Sequence, residues 1–200
     1  MFFISLAEIL IIMNLTQDTV FDKQDYTTSP LPLAEYDNCT FNGCNFSSAN
    51  ITGVVFTECN FNDCNFSMVN AKGTAFKEVD FKNCKMTGFN FSVSDPFLMT
   101  MKFTECLLNL SSFYNLKLKN IFFKKCNLQE VDFVQTDLTN AAFNECDLRN
   151  AIFENSILEK ADFRSSINYS FDPEQNRIKK AKFSLQGLPG LLHKYNVDIE

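Results

Sequence analysis

The chain places a phenylalanine at Phe21, Phe41, Phe61, Phe81, Phe103, Phe123, Phe143, Phe163 and Phe183, every step being 20 residues except one of 22 between Phe81 and Phe103. A column of that length with a fixed period marks an array of stacked units, in which each unit buries its apolar face against the next. A finer period of five runs through it. From Tyr36 the large apolar residues are Phe41, Phe46, Ile51, Phe56, Phe61, Phe66, Phe76, Phe81, Met86 and Phe91, with only Ala71 small; the series resumes as Leu98, Phe103, Leu108, Phe113, Leu118 and onward to Phe163. Five matches neither the helical period of 3.6 nor the strand period of two. It fits a turn-rich coil of four short faces, each pointing one large side chain inward. After the slip the centres alternate Leu and Phe, so two opposite faces are lined by Phe and the other two by Leu.

A second inward position lies two residues before each centre. Cys44, Cys64, Cys84, Cys106, Cys126 and Cys146 form a column there, with the same steps of 20 and the same single step of 22. Cys39 and Cys59 take equivalent places, so all eight cysteines fall at a position otherwise held by small or β-branched residues such as Ala49, Val54 and Thr74. Cysteine there acts as a small interior residue. There is no Cys-x-x-Cys pair and one histidine, His193. A zinc site or disulfide framework is therefore not expected, nor any cofactor. So many unpaired thiols favour a reducing compartment, and hence a cytoplasmic location.

Ala-Asp-Phe at 161–163, Cys-Asn-Phe at 44–46 and 64–66, and Cys-Asp-Leu at 146–148 resemble the pentapeptide-repeat family, over residues 19–183. The resemblance implies an all-β fold, a right-handed quadrilateral β-helix of about eight coils with a short C-terminal helical cap. At about 4.8 Å per rung the rod is roughly 38 Å long. The domain plan is an N-terminal apolar segment or cap at 1–18, the β-helix at 19–183 with a two-residue interruption at 92–97, and a C-terminal cap and dimerisation segment at 184–200. Val20-Phe21 followed by Gln24-Asp25-Tyr26, the Cys-Thr-Phe-Asn-Gly-Cys-Asn-Phe run at 39–46, and Asp172-Pro173 ahead of an apolar tail resemble, more narrowly, the Qnr-type quinolone-resistance proteins. That resemblance implies rod-shaped homodimers joined through their C-termini, binding to DNA gyrase or topoisomerase IV, and imitation of duplex DNA. The sizeable projecting loops of Gram-negative members have no counterpart, since the first coils run uninterrupted and the slip adds two residues.

Three groups of residues are candidates for contact with a partner. Ser94, Asp95, Pro96 and Phe97 carry turn chemistry at the slip, and a protrusion on a smooth rod is a natural recognition feature. Leu185, Leu188, Leu191, Leu192, Tyr195 and Val197 are apolar residues left over in the tail, a candidate two-fold contact. Glu58 and Glu78 stack one coil apart and, with Asp132 and Asp137, form the candidate acidic surface of a chain whose net charge is −6. Basic stretches at Lys117–Lys125 and Arg177–Lys182 are too local to argue for direct nucleic-acid binding. No nucleophile–base pair, metal-ligand cluster or phosphate loop is legible, so the chain reads as a non-enzymatic binding protein; the alternative is a structural interaction rod with a different partner. Residues 1–13 are apolar but too short to span a bilayer, so no membrane association is expected. A signal peptide, an upstream start with Met13 as the working initiator, and an amphipathic cap on the first coil are the readings open for them. Asn-x-Ser/Thr at Asn38, Asn45, Asn50, Asn65 and Asn90 is written by the repeat itself, which prefers Asn before the centre and Ser or Thr after it.

Overall fold

The computed structural model describes residues 14–198. The N-terminal segment expected at 1–18 therefore lies mostly outside the described residues, and its last part is already strand: Asn14–Gln17 pairs with Ala34–Asp37.

The chain forms a parallel β-solenoid with four faces per coil. Face one, centred on the Phe21 column, is a seven-stranded parallel sheet that runs from Val20–Asp22 through Thr40–Asn42, Asn60–Asn62, Val79–Lys82, Met101–Thr104 and Phe122–Lys124 to Ala142–Asn144. Face four, centred on Tyr36, Phe56 and Phe76, is a four-stranded sheet that ends at Ala75–Lys77. Faces two and three are held by isolated parallel bridges, such as Asn45↔Asn65 and Asn90↔Ser112. A face of five residues leaves room for only three or four extended ones before the chain turns.

The turns explain the polar code. The residue two after most centres adopts a left-handed conformation, from Asp18 (φ 52°) to Lys180 (φ 61°). Gly and Asn enter this region at least cost, and Asp and Asn can bridge a turn with their own side chains. The Asp or Asn just before a centre does that repeatedly: its Oδ1 accepts the amide two residues on, as Asn65 does from Ser67 (3.0 Å) and Asp137 from Thr139 (3.1 Å). Asn50 also accepts the Thr52 hydroxyl at 2.6 Å, so the Asn-x-Thr pattern there is turn chemistry.

Inside, the face-one rings stack in eight successive pairs from Phe21–Phe41 to Phe163–Phe183, with centroids 4.6–5.5 Å apart. Above the slip Phe113, Phe133 and Phe153 stack on the opposite face and meet face one edge-on, as between Phe113 and Phe123 at 5.9 Å. Both geometries suit the aromatic quadrupole.

The position two before each centre carries more than packing. Its side chain, when polar, mostly donates to the carbonyl 23 residues earlier, on the preceding coil, although Ser111 donates instead to Leu108 and Cys146 to Asn144. Cys64 donates to Phe41 (3.3 Å), Cys84 to Phe61 (3.3 Å), Thr74 to Ile51 (2.8 Å), Thr136 to Phe113 (2.8 Å), Ser156 to Phe133 (2.8 Å) and Asn176 to Phe153 (2.8 Å). The thiols are therefore interior, as expected from the column, and also weak donors that tie coil to coil. Burial pushes the Cys44 thiol up to about 11 and Cys59 up to about 12, which keeps them protonated.

Two irregular residues compensate each other. Ala71 is small where a large centre is expected, and Phe89 is large where a small residue is expected. Phe89 is fully buried, 6.2 Å from both Phe66 and Phe76 and 4.0 Å from Phe91, in the space Ala71 leaves open.

The slip does not fall where the five-residue count places it. Face four keeps the 20-residue register at Ala75↔Asp95, and the left-handed corner that closes it is Leu98. The 22-residue register begins at Val79↔Met101. The two added residues are thus Met99 and Thr100, not part of 92–97. Leu98 is not the resumed centre: it is 64% exposed, and Met99 is buried instead. The centre's register position on that rung falls to Pro96, which turns outward and has no amide to donate to a ladder. Among the described residues no bridge joins Asp95 to Lys117, and face four continues above only as single bridges from Lys117↔Asp137 onward.

The tail closes the last coil with short helical turns at Leu185–Gly187, Pro189–Leu192 and His193–Tyr195. Gly190 lies so close to the Tyr169 carbonyl that a Cβ there would stand 1.9 Å from it, and the Phe171 amide donates to Gly190 O at 3.1 Å. Lys194 locks the cap by donating to Asp172 (2.6 Å) and Glu174 (2.7 Å). Among the described residues no helix is long and apolar enough to cross a membrane.

Candidate functional site

A uniform rod offers a partner what its corners and irregular places expose. The most irregular place is the rung at the slip. Its four sequence candidates separate there. Ser94 is 5% exposed and occupies the inward position, with its hydroxyl on Ala71 O, so it is a core residue and not part of a protrusion. Asp95 closes the turn by accepting the Phe97 amide at 2.9 Å. Pro96 is exposed, and Phe97 is 66% exposed beside Leu98. The outward feature is therefore Pro96-Phe97-Leu98, an apolar knuckle on the corner between faces four and one. Counting forward from Phe91 through the Asp-before-centre turn would have found it; counting back from Phe103 hid it.

Below that knuckle, on the same edge, lies a groove of about 350 Å³ lined by Glu58, Asn60, Glu78, Asp80, Thr100 and Lys102. Glu58 and Glu78 are exposed corner residues that make no ion pair among the described residues, while Asp80 pairs with Lys102 at 3.4 Å. The other two acidic candidates behave differently. Asp132 accepts the Val134 amide (2.9 Å) and the Ser112 hydroxyl (3.1 Å). Asp137 accepts Thr139 and pairs with Lys119 at 3.5 Å. Both are half-buried turn residues in the repeat's own code, so they do not extend the acidic surface of Glu58 and Glu78.

The charges are segregated along the rod. Residues 14–80 carry nine acids against three bases, 81–159 nine against eight, and 160–198 four against seven. Among the described residues every ion pair except Lys102–Asp80 lies between Lys119 and Lys194. Hydrogen bonding to Arg164 holds the Asp162 carboxyl below its usual range, and bonding to Lys194 does the same to Asp172 and Glu174. The lower carboxylates instead accept from neutral groups, as Asp18 does from Asn38 (2.6 Å) and Asp37 from Gln17 (2.7 Å).

A model of the pentapeptide repeat region matches residues 34–96 and 97–171. The chain belongs to the pentapeptide-repeat family. The break between the two matched stretches falls at Pro96–Phe97, on the interrupted rung of this pentapeptide-repeat protein. No curated protein matches the sequence significantly. Among solved structures, full-length QnrB1, a plasmid-mediated fluoroquinolone resistance protein, is 16% identical, with 92% of this chain and 100% of that one covered and a TM-score of 0.46. HetL, a pentapeptide-repeat protein involved in heterocyst differentiation regulation from the cyanobacterium Nostoc sp. strain PCC 7120, is 16% identical over 85% of this chain and 87% of its own, with a TM-score of 0.37. Rfr23, from the cyanobacterium Cyanothece 51142, is 17% identical over 73% and 88%, with a TM-score of 0.22.

At the C-terminal end Leu185 is 82% exposed, and Leu188, Leu192, Tyr195 and Val197 also keep exposed surface. Leu191 does not: it is 7% exposed, packed into the chain's own core, and so is removed from the candidate dimer contact. Tyr195 also has an internal task, its hydroxyl donating to Glu174 at 2.8 Å. The tail brings His193 Nδ1 to 3.3 Å from the Ser170 hydroxyl, a contact the sequence did not indicate. Both residues are exposed, and among the described residues no carboxylate is bonded to the other ring nitrogen to orient it, so the pair lacks the third member of a nucleophile relay. No group of His, Cys, Asp and Glu that could hold a metal occurs among the described residues.

Proposed function

We propose that this protein is a non-enzymatic binding rod that engages a bacterial type II topoisomerase, DNA gyrase or topoisomerase IV, and lessens quinolone action on it. The observation that carries the reading is the segregation of charge. Spread over a rod of about 38 Å, a net charge of −6 would be a dilute imitation of DNA. The coils at 14–80 concentrate nine acids against three bases in about 16 Å, where duplex DNA carries about nine charges. Glu58 and Glu78 stand exposed on that stretch, where a cationic DNA-binding surface could reach them. The resemblance of the coil-opening segment and of the 39–46 run to Qnr-type proteins points to the same partner. The exposed tail residues Leu185, Leu188, Leu192 and Val197 supply an end-to-end contact between two copies.

The test is a gyrase supercoiling assay with a fluoroquinolone, with and without the protein. Protection or inhibition at micromolar protein, lost in Glu58→Lys/Glu78→Lys, is the expected result; no effect on the enzyme overturns the reading. The basic end at 160–182 favours a second reading, an interaction rod whose partner presents both charge signs. Capture from the native host of a partner other than a topoisomerase, retained when the acidic coils are neutralised, would establish it instead.

A further inference from the structure

The left-handed corner between faces four and one is the one column in which the slip, the acidic coils and the basic coils meet. Its nine members include Asp18, Glu58, Glu78, Leu98, Lys160 and Lys180, and asparagine fills the other three positions. All are exposed, as most left-handed corners of the other faces are, while the residues beside them on faces four and one are mostly half-buried or buried. Leu98 is the fifth of the nine. Four positions below it carry three acids, and four above it carry two lysines. Leu98, together with Phe97, is the apolar midpoint of an edge whose two halves have opposite charge.

We propose that two copies of this chain pair side by side and antiparallel along this corner, about a two-fold axis through Leu98. In a two-fold contact the same patch serves both partners. Leu98 then meets its own mate, flanked by the two Phe97 rings, and Asp18 lies opposite Lys180. Glu58 and Glu78 face asparagines, as does Lys160, so no like charges are apposed in the column. A parallel pairing would set Glu58 on Glu58 and Lys180 on Lys180, and like charges directly opposite repel. The arrangement has the ordinary anatomy of an interface, an apolar centre with a polar rim. It is distinct from the end-to-end contact of the tail and is argued independently of the topoisomerase reading, but it covers Glu58 and Glu78, so the pair and a topoisomerase would compete for this corner.

All eight native cysteines are buried, so a corner cysteine would be the accessible thiol among the described residues. Full-length Leu98→Cys, oxidised with diamide, is expected to form a disulfide dimer at least ten times faster than Asp18→Cys alone. A mixture of Asp18→Cys and Lys180→Cys should cross-link as a heterodimer. Leu98→Glu should weaken association at least tenfold by sedimentation with an unchanged circular dichroism spectrum. The fold accepts glutamate there, since Glu58 and Glu78 already hold the same left-handed conformation. Leu98→Cys cross-linking no faster than Asp18→Cys, or cross-linking confined to Val197→Cys at the tail, overturns the proposal.

Discussion

The coils below Leu98 and those above it are built on one repeat but hold themselves together differently. Below, two adjacent faces are continuous sheets and the aromatic centres lie on faces one, two and four. Above, one sheet survives, and aromatic and leucine centres alternate around the coil in uniform layers. Below, surface carboxylates such as Asp37, Asp22 and Glu35 accept from Gln, Asn and Thr; above, Asp137, Glu159, Asp162, Asp172 and Glu174 pair with Lys or Arg. The repeat thus fixes only the inward residues. The outward ones are free to give one half of the rod a field and the other half neutralised rungs.

The largest test of this comparison lies at the mismatch beneath the slip. Phe89→Ala removes a fully buried ring that fills the space above Ala71, and should cost about 3–5 kcal/mol. Adding Ala71→Phe should restore much of that, because the regular centre would then occupy the volume. Phe133→Ala, in the uniform upper layers, should cost a similar amount with no such rescue. Denaturant midpoints at unchanged slope measure all three. A loss below 1 kcal/mol at Phe89, or no rescue, would show that the two irregularities are independent.

The inter-coil donors come next. Thr136→Val in the upper coils and Thr74→Val in the lower keep shape and delete the donor to a buried carbonyl, so each should cost about 1–3 kcal/mol. Cys126→Ala should cost less, since a thiol is a weak donor at 3.5 Å. Equal losses at Thr136→Val and Cys126→Ala would mean that this position contributes packing alone.

Much of this was legible because period and chemistry coincide. The Phe and Cys columns placed the core and the thiols, since stacked side chains must repeat at the length of the coil. What stayed hidden was decided by the backbone. A step of 22 says that two residues are added but not which face absorbs them, and Leu98 sits five before Phe103 as a centre would. The register instead follows Asp95, whose side chain still closes the standard turn and whose backbone still bridges Ala75. Phe89 was invisible as a compensation because only packing relates it to Ala71, across the coil. The acidic candidates divided for a similar reason: Asp132 and Asp137 precede centres, where the turn uses their oxygens, whereas Glu58 and Glu78 follow them at corners, where nothing does.

Smaller effects separate the ends by pH. Hydrogen bonds from Lys194 hold the Asp172 and Glu174 carboxyls below their usual range. Groups with depressed folded values contribute stability that is present above the unfolded values, 3.8 for Asp and 4.5 for Glu, and lost as pH falls through the folded ones. The tail should therefore loosen below about pH 3.8 while the rung at Leu108, whose amide bonds to Asn127, stays closed. Hydrogen exchange at the Phe171 amide, bonded to Gly190, against the Leu108 amide, bonded to Asn127, reads the difference. Simultaneous opening would mean the cap is not a separate unit.

The smallest expected effect is also the most selective. Glu58→Gln and Glu78→Gln remove charge from exposed corners that make no ion pair among the described residues, so stability should stay within about 0.5 kcal/mol. Asp162→Asn, by contrast, breaks contacts to Arg164 and Lys182, though both are exposed enough that the loss should remain under about 1 kcal/mol. The informative quantity is association with a cationic surface, read as retention on an anion-exchange matrix, whose fixed groups are cationic, and on immobilised gyrase. The two glutamate changes should weaken both and the Asp162 change neither, because Arg164 and Lys182 already pair Asp162, whereas no described cation pairs Glu58 or Glu78. Equal weakening by all three would mean that net charge alone governs binding, and that the division of the rod at Leu98 has no bearing on its partner.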